Sequence, residues 1–438
     1  MTFRSLLAPL GTFALLLGGC PLLESASCLN PDDGGGSTTP SPYQEVYDAG
    51  LTQYVGTRAV QPAQVDNAWL YAGVEVNRYS TDPAVGGPLC MRGDEFFVET
   101  REGDSDALVI YLQAGGVCTT EVCAATVSPA LNLRLLTTGD LIGLGGILDK
   151  SDRRNPLADW DLVHVPYCDG SIFMGDVDRV LSDGDDRNGP RDMAYQRGLL
   201  NLTAALEAAK ARFPNPSRVV VAGSSGGSYG SVAAIALARH YYPGTDLLAV
   251  VDSGAPVLTD RDPGFVDRIL REVNARQYIP ASCPGCIDDG HVTGVVHWAL
   301  ERDPRLTVAY MGHSRDFVIG EFFMGGTADQ HQAAVLRETG ELVDAWPGRA
   351  YRFITAGTEH TYLLDVDYAP AWLQEPVLYV FGPLIFTGPD VTSSDISRFI
   401  LGGMRESGPN DAGATMNGYE WLDLLVNDPD HATNVVDF

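Results

Sequence analysis

Short apolar runs rich in Val, Ile, Leu and Tyr recur along the chain at residues 108–112, 162–165, 218–222, 247–251, 306–310 and 351–355. Between them lie stretches whose apolar residues fall at helical spacing. One, 191–212, carries Met193, Leu199, Leu200, Leu202, Ala205, Leu206 and Ala209 and stops before Pro214. A second, 228–242, is made of small and apolar residues, and a third, 416–426, includes Tyr419, Trp421, Leu422, Leu424 and Leu425 and reads as a closing helix. Continuous apolar strands alternating with helices predict a mostly parallel central sheet covered by helices on both faces. No internal repeat interrupts the pattern.

The N-terminus follows different rules. Arg4 supplies a positive charge, residues 6–17 form an apolar run, and small residues lead into Cys20, which is the order of an export signal. The run falls short of the ~20 apolar residues that span a bilayer. Leu17-Gly18-Gly19-Cys20 resembles a bacterial lipobox, in which the Cys thiol is acylated and becomes the first mature residue. The expectation is a signal peptide over 1–19, a lipidated Cys20 with a flexible Gly/Ser/Thr/Pro tether to residue 42, and a single catalytic domain over 43–438. The protein would then be exported and held on the bacterial cell envelope, at the outer membrane or the surface.

Composition narrows the partners. The net charge is −28, and of the 29 basic residues only Lys150 and Lys210 are lysines, so the basic face that nucleic acid requires is missing. The same acidity argues against an anionic polysaccharide such as bare pectin. Eight cysteines fit an oxidising compartment. Besides Cys20 and Cys28 in the tether there are six. Cys118 with Cys123 and Cys283 with Cys286 are the local pairs, which leaves Cys90 with Cys168, although six cysteines permit other pairings. Cys283-Pro-Gly-Cys286 has no second CxxC to complete a zinc site and is read as a structural disulfide.

The run 218–222 leads directly into Gly223-Ser224-Ser225-Gly226-Gly227, with a helical pattern behind it. A Gly-x-Ser-x-Gly turn between strand and helix is a nucleophile elbow, whose flanking glycines avoid a collision across a tight turn. Ser225 has glycine at both −2 and +2 and is the predicted nucleophile. Its hydroxyl needs a base, and the base needs a carboxylate to fix its tautomer. In such a sheet both follow the serine. His360, in the loop after 351–355, is the predicted base, since His164 precedes the serine, His240 ends the helix behind it and His431 lies in a polar tail. Asp316, in the loop after 306–310, is the predicted acid, with Asp252 and Glu359 as competitors and a helix N-cap as its alternative role. His313 in the same loop is expected to line the pocket or be solvated. The oxyanion donors are expected to be the amides of Gly226 and of Gly116 and Val117 after 108–112. Asp183, Asp185, Asp186 and Asn188 suggest calcium, but Ala194 stands where the closing glutamate belongs, so they read as a solvated acidic loop.

Several segments, taken in order, resemble the pectin acetylesterases together with the Notum carboxylesterases: Gly115-Gly116-Val117-Cys118 with Cys123, Asn155-Pro156 with Trp160-Asp161, Tyr167-Cys168-Asp169-Gly170-Ser171, Arg197-Gly198, Ala222 to Gly227, and Asp252-Ser253-Gly254. The resemblance implies an α/β-hydrolase fold and a cofactor-free, metal-free serine carboxylesterase acting on acetyl or other acyl esters of polysaccharides, glycans or proteins. It also makes Asp252 scaffold or pocket and leaves Asp316 as the acid. Val117 replaces the family's tryptophan and Gly226 its alanine, and losing the indole is expected to widen the acyl pocket or expose it. Alternative readings are a peptidase or acyltransferase on the same triad, or an inactive surface-binding lipoprotein.

Overall fold

The computed structural model describes residues 40–67, 73–120, 145–180, 193–365 and 402–438. The chain divides into two units, Met1–Pro40 and Ser41–Phe438, and the description below concerns the second. The signal segment, Cys20, Cys28, Cys123 and the acidic loop at 183–188 lie outside the described residues.

Among the described residues, ten strands form the main sheet, in the order β1-β2-β3-β5-β4-β8-β9-β10-β11-β14. These are β1 (Gln64–Asn67), β2 (Val74–Arg78), β3 (Phe97–Arg101), β4 (Leu108–Leu112), β5 (Asp161–Val165), β8 (Arg218–Ser224), β9 (Asp246–Asp252), β10 (Leu306–His313), β11 (Ala350–Thr355) and β14 (Val435–Val436). From β5 through β14 every neighbouring pair is parallel, while β1, β2 and β3 extend the sheet as antiparallel strands. Two small antiparallel ribbons stand apart: β6 (Val177–Val180) with β7 (Met193–Gln196), and β12 (Ser407–Pro409) with β13 (Thr415–Asn417).

Side chains alternate across the sheet and divide the core in two. Leu108, Ile110 and Leu112 pack into one cluster, with Val219 and Val221, while Val109 and Tyr111 join Val220 and Ala222 in the other. Helices cover both faces, as a parallel sheet requires. The first cluster takes in helices Gly198–Arg212 and Gly226–Tyr241, and the second is closed by Trp421 and Leu422 of helix Gly418–Asn427. That closing helix starts on a capping box between Asn417 and Glu420. This is the α/β-hydrolase architecture expected from the strand and helix pattern.

Most boundaries shift by a residue or two, and three departures from the pattern bear on the pairing of the sheets. Residues 193–196 are strand, not the start of the helix, because they pair with Val177–Val180; the helix begins at Gly198. Strand β10 runs on to His313, since Gly312 and His313 keep register with Ile354 and Thr355. The polar tail returns to the sheet through Val435, paired with Phe353.

Candidate active site

Strand order reverses at β4, which has β5 on one side and β8 on the other. Loops leaving the carboxyl ends of strands at such a switch point diverge and leave a crevice. The loop after β4 and the turn after β8 meet there. Ser225 occupies that turn with φ 52° and ψ −120°, a conformation that non-glycine residues rarely hold and that exposes a side chain above the sheet. The glycines around it are sterically required. A Cβ on Gly223 would lie 2.2 Å from the Gly227 carbonyl oxygen, and one on Gly227 would lie 2.2 Å from that of Leu112.

The loops after β10 and β11 bring the two downstream residues together. Nδ1 of His360 lies 2.7 Å from Oδ2 of Asp316, and both side chains are buried. The other carboxylate oxygen of Asp316 accepts the amides of Val318 (2.9 Å) and Ile319 (3.1 Å). Asp316 therefore both faces His360 and accepts the first amides of the π-helical turn Val318–Phe323, whose N-cap position is Phe317. Burial alone would push its carboxyl upward; the charge of His360, with hydrogen bonds from His360 and the Ile319 amide, outweighs burial and holds it below the usual carboxylate value.

Asp252 ties these parts to one another. Its backbone carbonyl accepts the Ser225 amide at 2.8 Å. Its fully buried carboxylate accepts Ser224 Oγ (2.6 Å), Ser253 Oγ (3.0 Å) and the amides of Tyr362 (2.8 Å) and Leu363 (3.0 Å). Thr361 donates its amide to Ser253 Oγ at 3.0 Å. The histidine loop is thus bolted to the strand beside the serine by residues one to three positions past His360. The resemblance marked Asp252 as scaffold or pocket; its function as this bolt is carried by loop geometry that spacing does not encode. Glu359 caps the Thr358 amide and lies 3.9 Å from His313. His313 neither lines the cavity nor meets solvent. It is fully buried, stacks on Tyr362 with ring centroids 4.3 Å apart, and burial pushes it down to about 4.

The oxyanion segment needs a correction. The Gly226 N–H is spent on the Gly115 carbonyl at 3.1 Å. That elbow amide is free for a substrate oxygen only if the Gly115 carbonyl turns away. Among the described residues the amides of Gly116 and Val117 have no hydrogen-bond acceptor, and both residues border the same cavity as Ser225. The segment is fixed behind them: the Cys118 amide donates to Gly170 O at 2.7 Å and Gln196 Nε2 donates to Cys118 O at 2.8 Å. A Cβ on Gly170 would lie 2.7 Å from that of Cys118, so Gly115 to Cys118 and Tyr167 to Ser171 are two sides of one contact. Cys168 is bonded to Cys90 and Cys283 to Cys286; Cys118 is also in a disulfide.

Ser225 opens onto a cavity of about 1200 Å³, including the space at its mouth. Its described lining residues include no charged side chain and are mostly aliphatic and aromatic, among them Ile172, Leu258, Phe265, Val295 and Met324. Ile172 is held there at φ 52°, with Phe173 at φ 60° beside it. Sequence reasoning missed this chamber because its walls come from segments scattered between residues 43 and 324.

Comparison with known proteins bears out the family resemblance. Residues 83–274 match the family model "Pectinacetylesterase". The chain is 22% identical over 218 residues to Pectin acetylesterase 11 of Arabidopsis thaliana, an alignment covering 47% of this chain and 54% of that protein. The chain thus spans about half the length of the curated relative it matches.

Proposed function

From a chain whose residues 83–274 carry the pectinacetylesterase match, we propose a serine carboxylesterase that cleaves uncharged acyl esters through an acyl-enzyme. The observation that carries this reading is the buried His360–Asp316 pair, held by Asp252 beside a serine in an elbow that opens onto an apolar chamber.

The chemistry follows from these residues. Asp316 accepts from Nδ1 of His360 and so leaves the other ring nitrogen to take a proton from Ser225. Ser225 attacks the ester carbonyl, and the negative charge on its oxygen is met by the amides of Gly116 and Val117, joined by Gly226 once the Gly115 carbonyl turns. His360 returns the proton to the leaving alcohol, then activates water to release the acid. The chamber receives the acyl group, which ranges from acetyl to longer aliphatic chains. The alcohol side is a glycan, polysaccharide or protein. The lipobox-like segment before Cys20 supports a lipid-anchored, exported enzyme, and Cys20→Ala is expected to move the protein from the membrane fraction to the soluble one.

The test is turnover of p-nitrophenyl acetate and butyrate beside a fluorogenic peptide. Ester hydrolysis lost in Ser225→Ala and His360→Ala, without peptide cleavage, is the expected result. Peptide cleavage would make the enzyme a peptidase, and no turnover by wild type would favour a binding protein.

A further inference from the structure

The ribbon of β6 and β7 stands outside the main sheet, and the triad leaves it without a task. Its inward side chains meet the segment that follows the oxyanion amides. Arg179 of β6 donates from Nε to Oε1 of Gln196 on β7 at 2.6 Å, and both side chains converge on the Cys118 carbonyl, Gln196 Nε2 at 2.8 Å and Arg179 Nη2 at 3.1 Å. A guanidinium can only donate, so it turns the Gln196 amide the way that points its N–H at Cys118. Arg179 Nη1 also donates to Glu272 Oε2 at 2.7 Å, at the end of helix Phe265–Glu272. That oxygen accepts the Thr120 amide at 2.8 Å and the Thr120 hydroxyl at 3.0 Å. Burial alone would push the Glu272 carboxyl upward; the Thr120 amide, then Arg179 and the Thr120 hydroxyl, outweigh it and hold it below the usual carboxylate value, so the partner of Arg179 is ionised at neutral pH. The ion pair is largely shielded, with the Arg179 side chain 16% and that of Glu272 27% exposed.

We infer that Arg179 is a positioning residue for the oxyanion segment, holding residues 118–120 in place so that the amides just before them meet the substrate oxygen. The inference rests on the esterase reading above. Cys118 has its N–H on Gly170 O and its C=O on Arg179 and Gln196, so the peptide planes on both sides of it are fixed. Movement is left to the glycine peptides upstream, first of all that between Gly115 and Gly116, whose carbonyl now takes the Gly226 amide. Carbonyl and N–H lie on opposite sides of a planar trans peptide. Turning that one unit frees the Gly226 amide and swings the Gly116 N–H to the elbow side, so two donors reach the oxyanion together. Without Arg179 the Gln196 amide loses what orients it, Glu272 loses its cation, and the segment can shift by more than an aimed donor tolerates. Lysine keeps the charge beside Glu272 but has no planar fork to serve Gln196, Cys118 and Glu272 at once.

Turnover of p-nitrophenyl acetate and amide hydrogen exchange test it on the full-length protein. Arg179→Gln is expected to lower kcat roughly tenfold or more with KM within about threefold, since the lost contacts act on the transition state and not on substrate binding. Arg179→Lys should recover part of that loss, and it carries both comparisons if the glutamine variant does not fold. Arg271→Ala, which removes an exposed ion pair with Asp267 on the same helix, should keep the wild-type kcat. Exchange at the Cys118 and Thr120 amides should be faster in the Arg179 variants than in wild type, while the segment around Asp316 keeps its protection. This second readout needs no turnover and so separates the inference from the reading it rests on. Unchanged exchange at Cys118 and Thr120 overturns the inference, as does faster exchange with wild-type kcat. Faster exchange in a protein whose wild type hydrolyses no ester upholds the hold on the segment and overturns the esterase reading instead.

Discussion

Replacing Asp316 with asparagine separates its two tasks. The asparagine oxygen can still accept the amides of Val318 and Ile319, now at 2.9 and 3.1 Å, and asparagine caps helices about as well as aspartate. The side chain's amide nitrogen then replaces Oδ2, which lies 2.7 Å from Nδ1 of His360. A donor there requires Nδ1 to accept, so the ring proton moves to the nitrogen that Ser225 needs as a base. In the analogous change in another serine hydrolase, the wrong tautomer cost about 10⁴ in kcat, close to 5 kcal/mol of transition-state stabilisation at 1.36 kcal/mol per decade. Asp316→Asn is therefore expected to lower kcat/KM for p-nitrophenyl acetate by about 10⁴ while folding is preserved. The thermal signature is independent. Asp316 titrates below its unfolded value of about 3.9, so its stabilisation is present above that pH and lost as pH falls through the folded value. The Tm gap between wild type and Asp316→Asn should be open at pH 7 and close in strong acid. An Asp316→Asn enzyme that folds and keeps more than a tenth of wild-type kcat/KM refutes the role given to this carboxylate.

Three further outcomes follow from the scaffold. Cys90 and Cys168, 78 residues apart, close a long loop, so the double alanine variant should lose about 4 kcal/mol in denaturant unfolding, and an unchanged midpoint counts against a structural bond. Asp169 is buried and pushed up to about 7 by desolvation, so its contribution is full below the unfolded value and lost as pH rises toward 7; Asp169→Asn should gain Tm relative to wild type between pH 5 and 8, and a pH-independent gap would exclude this. Gly227→Ala should cost about 3 kcal/mol or more, because its Cβ meets backbone at 2.2 Å, and a wild-type Tm would show that the turn is looser than described.

The parallel part of the fold was legible because its strands are buried on both faces and read as unbroken apolar runs. Strands β1 to β3 were not, since Gln64–Asn67 and Val74–Arg78 are largely polar and are held by edge pairing. Residues 193–196 carry apolar residues compatible with either period, and a partner at Val177–Val180 decided for strand. At the site, Ser225, Asp316 and His360 were readable because each follows a strand in the order that the fold imposes. The Asp252 bolt and the Gly115 carbonyl on the Gly226 amide were not, because each joins residues far apart in sequence through contacts that leave no periodic trace. Val117 lines the cavity together with Ser225 and Gly116.

The central claim is that Ser225 is a nucleophile activated in this chamber. Intact-mass measurement after treatment with an alkyl fluorophosphonate tests it most directly. Wild type should gain the mass of one phosphonyl group and Ser225→Ala none. An unlabelled wild type, or equal labelling of the alanine variant, would contradict it.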